Sequence, residues 1–251
     1  MPRSKSLGIA FATLLLFAVV ARPVRAQGAA NPTTTPPASV DAAITGAAFV
    51  VGEAELFGHV QFLASPELAG RESGSPEGAI TGSYIAAEFA KLGLAPAGDE
   101  GTFFQPFERM EAVLREVDGK HQIEQRKLTC RNVLAWLPGS DPARADDYVL
   151  IAAHYDHLGR NGDTFFPGAD DNASGVAGLL AIAKALATGP QKPRRSVLFA
   201  AFDAEEHGLV GAETFARKPP RPLRDEGGGG GGGTAEGAAG GEAAIAAFAA
   251  Q

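Results

Sequence analysis

Residues 41–226 read as one α/β domain: a mixed sheet whose central strands run parallel, flanked by helices. Three observations point to it. Tyr148 to Ala153 and Ser196 to Phe202 are short, nearly all-apolar runs, too short for comfortable helices and suited to strands buried on both faces. Between them, Val176, Leu179, Ala183 and Leu186 recur on one helical face. A helix joining two buried strands argues for a parallel pair inside a layered sheet.

In chain order, Arg3 and Lys5 precede an apolar run from Leu7 to Val20, and Val24-Arg25-Ala26 follows. Residues 1–26 therefore read as a cleaved signal peptide, and the product as secreted or periplasmic. An apolar run of about 14 residues falls short of the roughly 20 a spanning helix needs, so no stable membrane anchor is expected. Residues 27–40 hold Pro32, Pro36, Pro37 and a Thr33-Thr34-Thr35 run; they read as a linker. Ser75-Pro76-Glu77 is a helix start, Ile85, Phe89 and Leu92 share one face of that helix, and Gly93 stops it. The crossover helix is expected over Asn172–Leu186, with Asn172 or Ser174 as its cap and Gly189-Pro190 as its end. Residues 227–251 open with seven consecutive glycines, and Gly and Ala make up 19 of the 25. Such a tail cannot offset its backbone entropy by burial and is expected to be disordered.

Composition narrows the function. Twenty-two Lys and Arg against 29 Asp and Glu give a net charge of −7, which argues against a general phosphate-binding surface and hence against nucleic acid. The single cysteine, Cys130, rules out an intrachain disulfide and a thiolate zinc site; its expected role is a small buried hydrophobe. Neither Gly-x-Ser-x-Gly nor His-Glu-x-x-His occurs, which disfavours a serine hydrolase and a thermolysin-like protease.

The polar residues matter because of where they fall. His154-Tyr155-Asp156-His157 ends the first strand, Asp203-Ala204-Glu205-Glu206-His207 ends the second, and Gly168 to Gly175, containing Asp170-Asp171-Asn172, opens the connecting helix at the same edge. Open α/β sheets bind ligands at that edge. Taken singly, each residue has a plainer role as a helix cap or loop anchor. Together, imidazole and carboxylates without thiols suit a hydrolytic zinc site.

These three motifs, with His59 to Ser65, Gly70-Arg71 and Leu92 to Gly98 before them, make the chain resemble the secreted di-zinc aminopeptidases over about residues 56–215. That family includes bacterial leucyl aminopeptidases and aminopeptidase Y, and is related to glutamate carboxypeptidase and glutaminyl cyclase. The resemblance implies a zinc-exopeptidase fold, peptide substrates and two Zn2+ ions. It makes His154 a ligand of one zinc, Asp171 the bridging carboxylate and Glu206 a ligand of the other zinc. Asp156 would fix the His154 tautomer, and Glu205 would act as general base toward a hydroxide shared by the metals. His157 and His207 are left as supporting residues. The family has five metal ligands, and only three have counterparts here. No His follows His207, and the one downstream Asp, Asp225, sits beside the glycine run. The domain is thus expected to lack its C-terminal part. Besides a working metallo-aminopeptidase, two readings stay open: a truncated relative that binds peptide or metal without turnover, and an exported structural protein with a Gly-rich tail, which the catalytic clusters disfavour.

Overall fold

The computed structural model describes residues 18–21, 51–144 and 147–220. The linker, the Gly/Ala tail, Asp225 and most of the expected signal peptide lie outside them. Helix α1 is Glu53–Leu63. Helix α2, Pro76–Lys91, begins where the sequence places it, with the Ser75 Oγ accepting the Gly78 N–H at 2.9 Å. Its face bearing Ile85 and Phe89 is wholly buried.

The sheet has the order β1 (Ala18–Ala21), β5 (Tyr148–His154), β8 (Ser196–Phe202), β4 (Lys120–Leu137) and β2 (Ala95–Pro96), with β3 (Phe104–Val117) also paired to β4. Strands β5 and β8 are adjacent and parallel, in register from Tyr148 opposite Ser196 to His154 opposite Phe202. Strand β4 joins β8 antiparallel, and β1, four residues of the expected signal peptide, joins the far side of β5 antiparallel. The sheet is therefore mixed with a parallel centre. A small ribbon of β6 (Arg160–Asn161) and β7 (Thr164–Phe165) stands apart from it.

Helix α3, Ser174–Thr188, makes the β5 to β8 crossover and ends at Gly189. Of the two candidate caps, Asn172 does the capping: its Oδ1 accepts the Gly175 N–H at 3.0 Å. Helix α4, Val210–Arg217, follows β8. Val197, Phe199 and Ala201 of β8 face one core with Leu63, Ile85, Phe89, Val176 and Leu179, while Leu198, Ala200 and Phe202 face a second, smaller cluster with Leu134 and Phe215. Every residue of β8 is buried, as a central strand with apolar residues on both faces requires. Beyond this body β3 and β4 continue as a long hairpin to Val117 opposite Lys120. Among the described residues no helix is long and apolar enough to cross a membrane.

Candidate metal centre

The parallel register brings the C-terminal ends of β5 and β8 side by side, so the residues that leave these strands share one edge. His154 is the last residue of β5. Its Nε2 lies 3.2 Å from Asp171 Oδ1 and 3.9 Å from Glu205 Oε2. Its Nδ1 is 3.2 Å from the Asp156 carbonyl oxygen and 3.8 Å from Asp156 Oδ1. His157 Nδ1 lies 2.6 Å from Glu206 Oε1 and 3.9 Å from Asp171 Oδ2. His154, Asp171, Glu205 and Glu206 therefore converge, and His157 stands with them. Asp170 and His207 are exposed.

The Asp156 carboxylate is fully buried and is used mainly by the backbone: Oδ1 accepts the Glu205 N–H at 3.0 Å and Oδ2 the Glu206 N–H at 3.3 Å. An acid at the end of β5 thus fixes the turn after β8. Asp203 works on the other side of that turn. It accepts the Ala204 N–H at 2.9 Å and the Arg131 N–H at 3.1 Å, which ties the turn to β4.

Arg71 has no role in the motif reading, yet it holds the two ligand-bearing loops together. It is 1% exposed, and its guanidinium donates to the carbonyls of Leu63, Tyr155 (3.0 Å), Pro167 (2.7 Å) and Gly168 (2.9 Å). Its own carbonyl accepts the His157 N–H at 3.2 Å. Five donors in a rigid fork suit Arg to such a clamp. Burial lowers its pKa to about 10, with Asp156, Asp171 and Glu206 opposing the shift. Gly168 has φ +56°, and a Cβ there would stand 2.7 Å from Arg71 Nη2 and 2.6 Å from His157 Cδ2. The loop approaches the clamp so closely that only glycine fits. One sign of the clamp was available in the sequence, Gly70-Arg71 among the matched motifs, but its carbonyl partners carry no side-chain signature.

Charge is dense here. Burial alone would lower the His154 pKa, but Asp156, Glu205 and Asp171 outweigh it and the imidazole titrates above its ordinary value. Burial raises the Glu205 carboxyl above the usual carboxylate range; Glu206, Asp156 and Asp171 add to the rise, and His154 opposes it. A partly buried acid among other acids is suited to holding a proton reversibly. The donor set fits a divalent cation: one ligand atom each from His157, Asp171 and Glu206 lies within 4.8 Å of the others, and His154 faces the remaining Asp171 oxygen. Imidazole and carboxylate are zinc ligands. Cys130 is buried against Ser73 Oγ at 3.2 Å, and burial raises its thiol pKa.

Residues 132–226, which include every candidate ligand, match the model of peptidase family M28. The probable zinc metalloprotease of Pyrenophora teres f. teres (strain 0-1) is 42% identical over 90 residues, 34% of this chain and 18% of that protein. Aminopeptidase NAALADL1 of Mus musculus is 37% identical over 94 residues, 36% of this chain and 11% of that protein. The chain thus spans less than a fifth of either relative. The solved aminopeptidase from Aneurinibacillus sp. strain AM-1 superposes with a TM-score of 0.55 at 17% identity, over 71% of this chain and 69% of that chain, a likeness of fold. The resemblance read from the motifs therefore holds: residues 132–226 are similar to the M28 peptidases, and the chain shares the fold of a solved aminopeptidase.

Proposed function

We propose that the protein is an exported zinc-dependent aminopeptidase that hydrolyses the N-terminal peptide bond of peptides. The observation that carries this reading is the convergence of His154, Asp171, Glu205 and Glu206 where β5 and β8 end. In it, His154, Asp171 and Glu206 hold zinc, which when bound polarises the scissile carbonyl and acidifies water. Asp156 keeps the backbone of Glu205 and Glu206 in place through its two N–H bonds. The raised Glu205 carboxyl takes the proton of the attacking water and gives it to the leaving amine. The acidic cleft favours a substrate α-ammonium group, in keeping with cleavage from the N-terminus. Export rests on the Arg3 and Lys5 charges and the apolar run behind them.

One observation favours a second reading, a relative that binds metal or peptide without turnover. Among the described residues no Asp follows Glu206 and no His follows the exposed His207 to complete the five-ligand set implied by the family.

The deciding experiment measures zinc content and hydrolysis of leucine arylamide by the chain and by Glu205→Gln. The aminopeptidase reading expects zinc in both proteins and turnover reduced by about 10²–10⁴-fold in the variant. Zinc in both with no turnover in either selects the second reading. No zinc in either defeats the aminopeptidase reading and leaves only the peptide-binding form of the second.

A further inference from the structure

Strands β3 and β4 leave the body as a two-stranded ribbon. Only Val133 to Leu137 of β4 pair with β8, whereas the β3–β4 ladder runs on unbroken to Val117 opposite Lys120. Asp118 and Gly119 close it with φ of 53° and 69°, as a two-residue type I′ turn requires. Such a turn makes Val117 and Lys120 a hydrogen-bonded pair, and these pairs alternate along an antiparallel ladder. The odd-numbered residues of outer β3 therefore bond to β4, and the even-numbered ones, Glu108 to Glu116, aim their N–H and C=O groups outward. Pro106 falls in the outward set, where its missing N–H costs β4 nothing. Among the described residues no strand pairs with this outer edge. The face that carries the same residues is also open, with Met110 60% and Leu114 64% exposed. An isolated ribbon is marginal in water, and a long free edge is a template for another strand.

We propose that the outer edge of β3 pairs antiparallel with β3 of a second copy of this chain, across a two-fold axis at Val113. A two-fold interface must be self-complementary, and the charges on β3 select this register. With the axis at Val113, Glu111 of each copy lies opposite Arg115 of the other, and Ala112 lies opposite Leu114, small against large. Within one chain Glu111 is bonded to Arg126 and Arg115 to Glu124, so the new pairs join these bridges into rows of alternating charge. Moving the axis to Ala112 would set Arg109 against Arg115 and Glu108 against Glu116, which is repulsive. Moving it to Leu114 would set Glu111 and Arg115 against valines. The chosen register also brings outward-facing residues opposite one another and forms about eight interchain backbone hydrogen bonds between residues 110 and 116, close to the roughly ten of a typical interface. Two marginal ribbons become one four-stranded sheet, past the three strands that independent stability needs.

The test is sedimentation velocity over a concentration series on the full-length wild type, Ala112→Pro, Glu111→Lys and Arg115→Glu, with circular dichroism and urea unfolding to check that each variant folds. Ala112→Pro removes an outward N–H and leaves the bonds to β4 in place. The wild type should dimerise, and the proline variant should raise the dissociation constant at least about 100-fold, because a two-fold interface carries the change twice. Glu111→Lys and Arg115→Glu each set like charges opposite one another and should dissociate when alone. Mixed in equal amounts they should dimerise again, since only the mixed pair has opposite charges on both sides of the axis. A wild type that stays monomeric throughout, or a folded Ala112→Pro that dimerises as the wild type does, would overturn the proposal. So would a mixture of the two charge variants that remains monomeric, and that result decides the matter if Ala112→Pro fails to fold.

Discussion

On one face of the sheet α1, α2 and α3 close over Val197, Phe199 and Ala201, and the ring of Phe89 lies 6.0 Å from that of Phe199. On the other face, among the described residues, only the eight-residue α4 covers Leu198, Ala200 and Phe202, with Phe215 against Phe202 at 5.5 Å. There Trp136, Tyr148 and Leu150 are only partly buried. The same strand thus faces a deep core on one side and a shallow one on the other. The site divides along the same line: Asp171 stands at the entry to α3 in the deep layer, whereas Glu205 and Glu206 lead toward α4 in the shallow layer. Backbone bonds to Asp156 compensate, because they fix the Glu205–Glu206 turn from β5 and not from the shallow side.

Four measurements would break or sharpen this contrast. Phe199→Ala should remove about 4 kcal/mol of stability in urea unfolding, since the surrounding layer cannot collapse into the space. A loss comparable with that of a surface residue would refute a deep core. Arg71→Met should remove about 3 kcal/mol, because buried carbonyls lose their donor. It should also weaken zinc binding, measured by chelator competition, by roughly 10–100-fold through the displaced loops. Phe215→Ala, the same side-chain loss in the shallow cluster, should cost about 2 kcal/mol, because fewer neighbours surround the ring. Equality with Phe199→Ala would erase the contrast. Smallest is Ile123→Thr on the hairpin, 71% exposed, for which a shift within about 0.5 kcal/mol is expected.

Periodicity and composition gave β5, β8, the crossover helix and the start of α2 to within a few residues, because each is a local pattern bounded by its own cap or stop. The motifs also pointed to His154, Asp171, Glu205 and Glu206 as neighbours. The β3–β4 hairpin was not legible. Its outer half has no buried face to impose an alternating pattern and carries charges and exposed apolar residues together, with Arg126 and Arg115 bonded to Glu111 and Glu124. The two-sided use of Asp171 was equally hidden, since the direction of each oxygen depends on where His154 and His157 end up in space. Arg71 was quoted for likeness alone; a clamp on main-chain carbonyls leaves no complementary residue type to find.

That clamp also bears on the order of assembly. Its bonds to Tyr155 and Gly168 join residues 84 and 97 positions apart, whereas β5, α3 and β8 can gather within a much shorter stretch. Distant contacts cost more chain entropy before they return any gain, and they slow folding. The strand pair should therefore form before residue 71 docks, and until it docks the two ligand loops are joined through the β6–β7 ribbon and the Phe166 N–H to Gly159 carbonyl bond but lack the clamp. A cation added during refolding would then be captured late, after the sheet has formed, and would act as a lock on the finished fold and not as its nucleus.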